Sequence, residues 1–523
     1  MKRIKLLVAF ACRHPFAVLL GLGLVTLGGH LTTVVDYPAS WFDEIEIIEM
    51  GRFSVFDIRP EWSVNLLQGA DGVWRAPAPY FHYLIGAWQE LAYRLTGSYV
   101  PARISLLVTL PIASLALFGW LRTKRLTTGA ALLAAIFFLF DPNATICAHW
   151  YRPDLLTVAC AFAAMIMLAR TSSAKPPVRS LARVAVGGLA ALMAFLWITS
   201  VLLWPLIAWE AFVSAADDPA HPFRSWCGRR LAQDMTACVV GAVITASVLL
   251  IPLYPYIPDI LDQYARHSEL GRAQFAWGDV ARHAFDFVRI ALRSPFVWPL
   301  AGLGLLRGRC RMHGVLWLGL CGLMVLTRVY HLRMVQLMPF LFLFLAIALD
   351  WLLRHPARFV RAVSRFAIVC AGVGYFGLSV VAMNYAAWPG GNTFRAFTTK
   401  LAVALPTRQE SPKVYLHDME HEIYYSGREL GWRMYSCTER SKLFTSPEAA
   451  RILDGMDVFV ASSMLPPLTD AELAVLADHG FRECARVAMP PPAGSALKRA
   501  LAALFYAHGY PSCAVYARPV SRL

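Results

Sequence analysis

The chain has 523 residues, of which 57% are hydrophobic and only 16% charged, and its formal net charge is +15. A soluble globular chain carries about 25% charged residues, so a single large water-soluble domain is excluded. The basic residues fall in short clusters between long apolar runs. Nucleic-acid binding would gather them into one patch or stripe, so no nucleic acid is expected as a partner. Alternating barrel strands are absent, which leaves helices as the spanning element.

Met1-Lys2-Arg3-Ile4-Lys5 precedes an apolar stretch from Phe16 to Val35, and no small-residue cleavage site follows. This reads as a retained first helix, about 15–35, with its basic end in the cytoplasm. A polar and aromatic stretch, 36–99, then lies outside. Within it, helices are expected over 43–54 and up to Thr96-Gly97. Helix two, about 100–121, returns to Arg122, Lys124 and Arg125. Helix three, about 127–141, goes out to Asp141-Pro142. Helix four, about 154–169, comes back to Arg170, Lys175, Arg179 and Arg183. Residues 184–216 read as two short helices broken near Thr199-Ser200, followed by Arg224, Arg229 and Arg230. Helix seven, about 235–254, goes out, and an amphipathic external stretch, 255–293, follows. Helices eight (about 294–306), nine (about 314–327), ten (about 334–353) and eleven (about 366–387) complete the set. Every loop assigned inside carries at least three basic residues, the pattern of cytoplasmic loops. An odd count leaves the remainder outside.

The tail changes character. Lys413–His417 and Asp457–Ala461 read as buried strands, Ser446-Pro447-Glu448 opens a helix, and Thr469–Ala477 reads as another. The fold class is therefore an all-α polytopic membrane protein with about 11 transmembrane helices, external juxtamembrane helices and a small C-terminal α/β domain. Residues 1–387 form the membrane domain, with 35–99 and 255–293 as its external loops, and 388–523 form an external, periplasmic domain. The expected location is a cell inner (plasma) membrane. Three cysteines, Cys437, Cys484 and Cys513, lie in the tail. Cys484 and Cys513 are one option for a disulfide, and Cys437 is another partner. No cysteine or histidine spacing marks a structural metal site.

Candidate chemistry gathers on the external side. Trp41-Phe42-Asp43-Glu44-Ile45-Glu46 places an acidic pair just past the first helix. Acidic groups beside lipid are costly to desolvate, which marks a site, yet Asp43 and Glu44 also suit the first turn of a helix. Arg75-Ala-Pro77-Ala-Pro79-Tyr80-Phe81-His82-Tyr83 reads either as an interfacial aromatic belt or as a groove for sugar or lipid. Asp154, after Arg152-Pro153, is either a helix cap or a functional carboxylate, and Arg152 is its natural ion-pair partner.

The order of these features resembles the GT-C glycosyltransferases, in the branch containing protein O-mannosyltransferases and the lipid A aminoarabinose transferase. The acidic pair follows helix one, and Pro79-Tyr80-Phe81-His82-Tyr83 looks like the branch's Pro-aromatic motif. Ala102-Arg103 opens helix two, and Arg152-Pro153-Asp154 opens helix four. Arg328-Val329-Tyr330-His331-Leu332-Arg333 with Pro339 is similar to its late Arg-Tyr segment. The preceding Pro of the aromatic motif is Ala78 here, and the usual basic residue before it is absent, with Arg75 a substitute. The resemblance covers roughly residues 10–350.

The resemblance implies a polyprenyl-phosphate sugar as donor and a glycan, lipid or protein as acceptor, with membrane lipids around both. It implies Asp43 as the base, with Glu44 and Asp154 orienting the reactants. Arg75, Arg272, Arg328 and Arg333 would meet the departing phosphate. Tyr80, His82, Tyr83, Arg152 and Tyr330 would contact substrate. Burial near lipid raises the pKa of such carboxyls. His149, His267 and His331 are external too, but rank lower because a lone histidine is more often structural. No cofactor is certain; two adjacent carboxylates serve a divalent cation or act without one. The stretch 259–293 reads as a loop closing over the lipid phosphate or as a helix lying on the membrane. A lipid-linked glycan ligase or polymerase, a lipid or solute transporter, and a non-catalytic assembly subunit are the competing readings.

Overall fold

The computed structural model describes residues 10–34, 42–57, 67–68, 74–75, 82–149, 152–218, 222–225, 227–262, 265, 278–307, 310–327, 333–387, 399–403, 411–417, 424, 427–436, 440–445, 447–462, 467–488, 495–505 and 512–518. In chain order the first helices are α1 (Pro15–Leu31), α2 (Phe42–Val55), α3 (Leu84–Thr96), α4 (Val100–Leu107), α5 (Thr109–Thr123), α6 (Thr128–Leu139), α7 (Pro142–His149) and α8 (Asp154–Arg170). They are followed by α9 (Pro176–Leu196), α10 (Trp204–Ala215), α11 (Gly228–Leu250), α12 (Gly278–Ala291), α13 (Val297–Leu306), α14 (Arg311–Leu326), α15 (Met338–Arg354), α16 (Arg358–Phe376) and α17 (Met383–Ala387). The tail adds α18 (Arg440–Thr445), α19 (Pro447–Asp454), α20 (Asp470–Asp478) and α21 (Ala496–Phe505). Two compact units result: Met1–Leu31 with Ser105–Ala382, and Thr32–Ile104 with Met383–Leu523.

The first unit is helical. Among the described residues six helices are long and apolar enough to cross a membrane, or seven if the bent pair α6 and α7 is one span; three shorter apolar helices are α1, α13 and α14. Length and apolarity thus do not confirm the expected count of about 11. The bend of 50° between α6 and α7 has a local cause. Asp141 ends one helix and caps the next: its Oδ1 accepts from the Asn143 N–H at 2.9 Å and the Ala144 N–H at 3.2 Å. Pro142 occupies the first helical position, where its missing N–H costs nothing.

α15 is the centre of this unit, and its residues from Met338 to Asp350 are buried. Its neighbours approach through small side chains, the usual device where lipid supplies no hydrophobic drive. A Cβ on Gly304 of α13 would lie 1.9 Å from the Phe344 carbonyl oxygen. The α9–α11 crossing is equally tight: a Cβ on Gly187 would lie 1.8 Å from the Cys238 oxygen. The break expected near Thr199-Ser200 is a 3₁₀ turn, Ile198–Leu203, but α9 is a full-length helix that starts at Pro176 rather than near 184.

The second unit holds a five-stranded sheet of β3 (Lys413–His417), β4 (Arg433–Ser436), β5 (Val458–Ser462), β6 (Arg482–Ala488) and β7 (Ser512–Ala517), after a small antiparallel pair of β1 (Leu67–Gln68) and β2 (Trp74–Arg75). The strand order is β4-β3-β5-β7-β6, with β3 parallel to β4 and β5, and β7 antiparallel to β5 and β6. Both strands read from the sequence are present. The helix expected from Thr469 is α20, opened by a Thr469–Glu472 capping box. One face of the sheet packs Val414, Val458 and Val515 with Ile48 of α2 and Tyr99. The other face is covered by Leu443, Leu453 and Leu476 of α18, α19 and α20.

A Cys484–Cys513 disulfide is not made. The β6–β7 register sets Cys513 opposite Val487, and the Cys484 thiol donates to the Val515 carbonyl at 3.3 Å across a bulge. Cys437 lies outside the described residues.

Candidate active site

In the second unit, Asp43 and Glu44 fall in the first turn of α2, where the exposed N–H groups of a helix favour negative charge. Their side chains lie outside the described set. The rest of α2 is firmly held. A Cβ on Gly51 would lie 1.9 Å from the Ala87 nitrogen, and one on Gly86 would lie 1.7 Å from the Ile47 oxygen, so α2 and α3 touch backbone to backbone. His82 and Tyr83 precede α3 and are buried. Burial raises the Tyr83 phenol above its usual pKa, so it stays a proton donor. Arg75 sits on β2 opposite Leu67, and Tyr80 lies outside the described residues.

A charged cluster that sequence reasoning missed fixes this helix pair. Arg428 donates to Glu90 through Nη1 at 2.8 Å and Nη2 at 3.3 Å, and to the Tyr99 hydroxyl at 2.6 Å. Its guanidinium lies 4.6 Å from the Tyr93 ring centre. Arg94 donates to Glu90 and to Asp57, each at 2.8 Å, and Arg52 reaches Asp57 at 2.5 Å and Glu49 at 3.6 Å. The Tyr424 hydroxyl donates to Glu49 at 2.6 Å. Among the described residues of these ion pairs, three carboxylates thus face three guanidinium groups. Burial alone would raise the pKa of Glu90, but Arg428 and Arg94 hold it below the ordinary carboxylate value. Neither Glu90 nor Arg428 sits in a recognisable motif, and they are far apart in sequence, so only the fold reveals the pair.

In the first unit, the N-cap of α8 is Pro153, and Asp154 is the first helical residue. Asp154 therefore does not serve as the cap. Its Oδ2 instead accepts from Arg152 Nε at 2.9 Å, with side-chain exposures of 0% and 7%. The Arg152 guanidinium stacks 4.4 Å from the Trp197 ring centre, which fixes its orientation. His149, at the end of α7, meets His30 of α1 with ring nitrogens 2.9 Å apart. Arg333 opens the turn Arg333–Leu337 and is half-buried. Gln336 of that turn reaches Thr157 of α8 at 3.5 Å, so the turn bearing Arg333 packs on the helix bearing Asp154. Arg272, Arg328 and Tyr330 lie outside the described residues, as do His267 and His331. The external stretch expected to be amphipathic contains α12, whose ion pairs Arg282–Asp279 and Arg289–Asp286 lie along its surface.

Among the described residues no group of three His, Cys, Asp or Glu side chains could hold a metal ion. The carboxylates of Asp43 and Glu44 are not among those described.

No family model and no curated protein matches this sequence. Solved structures do match in fold. ArnT from Cupriavidus metallidurans bound to undecaprenyl phosphate superposes with a TM-score of 0.58 at 13% identity, covering 97% of this chain and 98% of that one. Its apo state gives the same TM-score at 12% identity. The arabinofuranosyltransferase AftD from Mycobacteria gives a TM-score of 0.54 at 16% identity, covering 98% of this chain and 42% of that longer one. Two likenesses, each spanning nearly the whole of this chain, show that it shares the fold of these two transferases.

Proposed function

We propose that the chain is an integral membrane glycosyltransferase that moves a sugar from a polyprenyl-phosphate-linked donor to an acceptor on the external face of the membrane. The observation that carries this reading is the likeness, along 97% of the chain, to ArnT bound to undecaprenyl phosphate. Two features support it: the acidic first turn of α2, and the buried Arg152–Asp154 pair that opens α8.

Asp43 takes the proton of the acceptor hydroxyl as that oxygen attacks the anomeric carbon. The bond from that carbon to the phosphate oxygen breaks, and its electron pair leaves with the polyprenyl phosphate, inverting the anomeric centre. Arg75, Arg272, Arg328 and Arg333 meet the charge that develops on the phosphate, for which a guanidinium's paired donors are suited. Glu44 and Asp154 orient the acceptor. With Arg152 at 2.9 Å, Asp154 is a charge-compensated group better suited to positioning than to taking a proton. Tyr80, His82, Tyr83, Arg152 and Tyr330 contact the substrates. A divalent cation, if the reaction uses one, is held by Asp43 and Glu44. The acceptor is a glycan, a lipid or a protein of the cell envelope, and the membrane is the inner (plasma) membrane.

A transport reading needs ionisable groups within the spans. The described acidic residues of the candidate spans are held in local contacts: Asp350 Oδ1 accepts from the Thr127 N–H at 3.1 Å and the Thr127 hydroxyl at 2.5 Å, Glu210 meets His313 at 2.8 Å, Asp234 meets Arg183 at 3.1 Å, and Asp141 caps α7.

The test is transfer from a panel of radiolabelled polyprenyl-phosphate sugars to total membrane material by the purified protein. The wild type is expected to transfer from at least one donor and Asp43→Asn from none, while remaining folded. Absence of transfer from every donor by folded wild type would refute the reading. Near-normal transfer by Asp43→Asn would remove Asp43 as the base.

A further inference from the structure

In the first unit, on the side that the basic-residue pattern assigns to the cytoplasm, lies a cluster of titratable groups that the proposed reaction does not use. Glu210 of α10 is its centre. Its Oε1 accepts from the Lys124 ammonium, just past α5, and from His313 Nε2 at 2.8 Å. The His313 side chain is 5% exposed, and the ring centres of Trp120 and Trp209 lie 6.5 and 6.4 Å from its own. An ionised carboxylate only accepts, so Nε2 carries the hydrogen and Nδ1 of the neutral ring presents its lone pair. That buried Nδ1 has no hydrogen-bond partner among the described residues.

Cys310 stands three residues before His313, at the N-cap of α14, and its thiol does not cap the helix. Side chains so spaced meet across the first helical turn. Burial alone would push the Cys310 thiol up, but the His313 imidazole and the Lys124 ammonium hold it below its ordinary pKa. Its backbone is left-handed, with φ 64°. That conformation is rare for a residue with a Cβ and persists where the surroundings impose it, often at functional sites. Among the described non-glycine residues only Arg125 shares it, and Arg125 adjoins Lys124. The other nearby charges are directed elsewhere. Arg307 lies over the Trp351 ring at 3.5 Å, and Asp350 is held by Thr127 and Arg354. Arg311 is exposed. The charges of α12, and Arg333 beyond α14, lie toward the other end of that helix, where His283 meets the Val325 carbonyl at 3.3 Å.

We propose that Cys310 is a nucleophilic thiol, served by a His313–Glu210 relay, that forms a mixed disulfide with a small cytoplasmic disulfide. His313 Nδ1 takes the thiol proton. The Cys310 sulfur attacks one sulfur of the disulfide, and the S–S bond breaks. Its electron pair leaves with the other half, which takes the proton back from His313. The protein thiol is thereby oxidised, and the released half is reduced to a thiol. Cys310 is half-buried, which admits a small molecule rather than a protein. Arg307, Arg309 and Arg311 flank it in sequence, and their charge favours an anionic disulfide such as oxidised glutathione. The inference is independent of the proposed reaction, since none of these residues takes part in it.

The experiment treats the full chain in detergent with oxidised glutathione at neutral pH and follows each cysteine by peptide mass spectrometry. Cys12 and Cys484 are exposed and serve as internal references. Cys310 is expected to carry the adduct first, although it is less exposed, and dithiothreitol to remove it. His313→Gln should slow the reaction at neutral pH roughly 10-fold, and raising the pH above the ordinary thiol value of 9.0 should restore it, because the thiol then ionises without help. A purely structural role for His313 would give no such rescue. Glu210→Gln should move the pH profile in the same direction. Cys12 reacting as fast as Cys310 in the wild type would overturn the proposal, and that comparison needs no variant. So would an unchanged pH profile in His313→Gln. An adduct that dithiothreitol does not release would overturn its assignment as a disulfide.

Discussion

Removing Arg428 should unfasten α2 and α3 from the sheet of the second unit. Glu90 is 0% exposed and Arg428 8%, and the pair is bidentate. Arg428→Met leaves three carboxylates against two guanidinium groups, with Glu90 uncompensated on one side. Breaking a buried pair by deleting one partner costs about 3–5 kcal/mol. At about 1.4 kcal/mol per factor of ten, amide exchange in β3 and β5 should quicken by roughly 100- to 5,000-fold, provided those strands open with the unit. Glu90→Gln should act in the same direction. Replacing both, as Glu90→Leu with Arg428→Met, should recover most of the loss, because two apolar side chains remove both desolvation costs together. Hydrogen exchange followed by mass spectrometry reads each strand separately. Equal protection in wild type and Arg428→Met would refute the reasoning, and so would a double variant as damaged as the sum of the singles. The same pair sets a pH dependence. The pKa of Glu90 is lowered in the folded state, as is that of Asp57, where burial is likewise outweighed by Arg94 and Arg52. Their stabilisation is therefore complete above the ordinary carboxylate value of 4.5 for Glu90 and is lost as the pH falls through the lower, folded value. Protection of β3 and β5 should hold from neutrality down to about pH 4.5 and decline below it.

Gly86→Val should force α2 from α3, because its Cβ would lie 1.7 Å from the Ile47 oxygen. Overpacking of this kind costs about 1–3 kcal/mol or more, and it displaces the helix that carries Asp43. Transfer by this variant should fall while the first unit's spans still insert, as read by protease protection. Gly187→Leu, whose Cβ meets the Cys238 oxygen at 1.8 Å, should lower the temperature at which detergent-solubilised protein aggregates. Arg152→Ala removes from the buried Asp154 its ion pair with Arg152, and should cut transfer more than Arg152→Lys does. Equal activity of these two variants would show that the pair does not position Asp154.

The periodicity of apolar runs and the placement of basic clusters are local properties, so several helices could be read directly, although the start of α9 could not. α8 from Asp154 to Arg170 and β3 from Lys413 to His417 fall where the residues predict them. The bend at Asp141-Pro142 was legible only as a helix end, because the Asp-Pro signature marks a cap without saying that α7 follows. The span count depends on where short helices such as α13 and α14 end, which hydropathy does not fix. For the candidate site, the sequence identified Arg152 and Asp154 as partners because they are two residues apart on a helix start. It was silent on Glu90 and Arg428, which carry no motif and are brought together only by folding. The Cys484–Cys513 option failed for a related reason: strand membership was readable, but the register that sets Cys513 opposite Val487 depends on a bulge in β6. Hydrophobic pattern and helix-end chemistry act between residues a few positions apart, and the sequence states them. Register and the pairing of charges far apart in the chain arise between distant segments, and only the tertiary structure decides those.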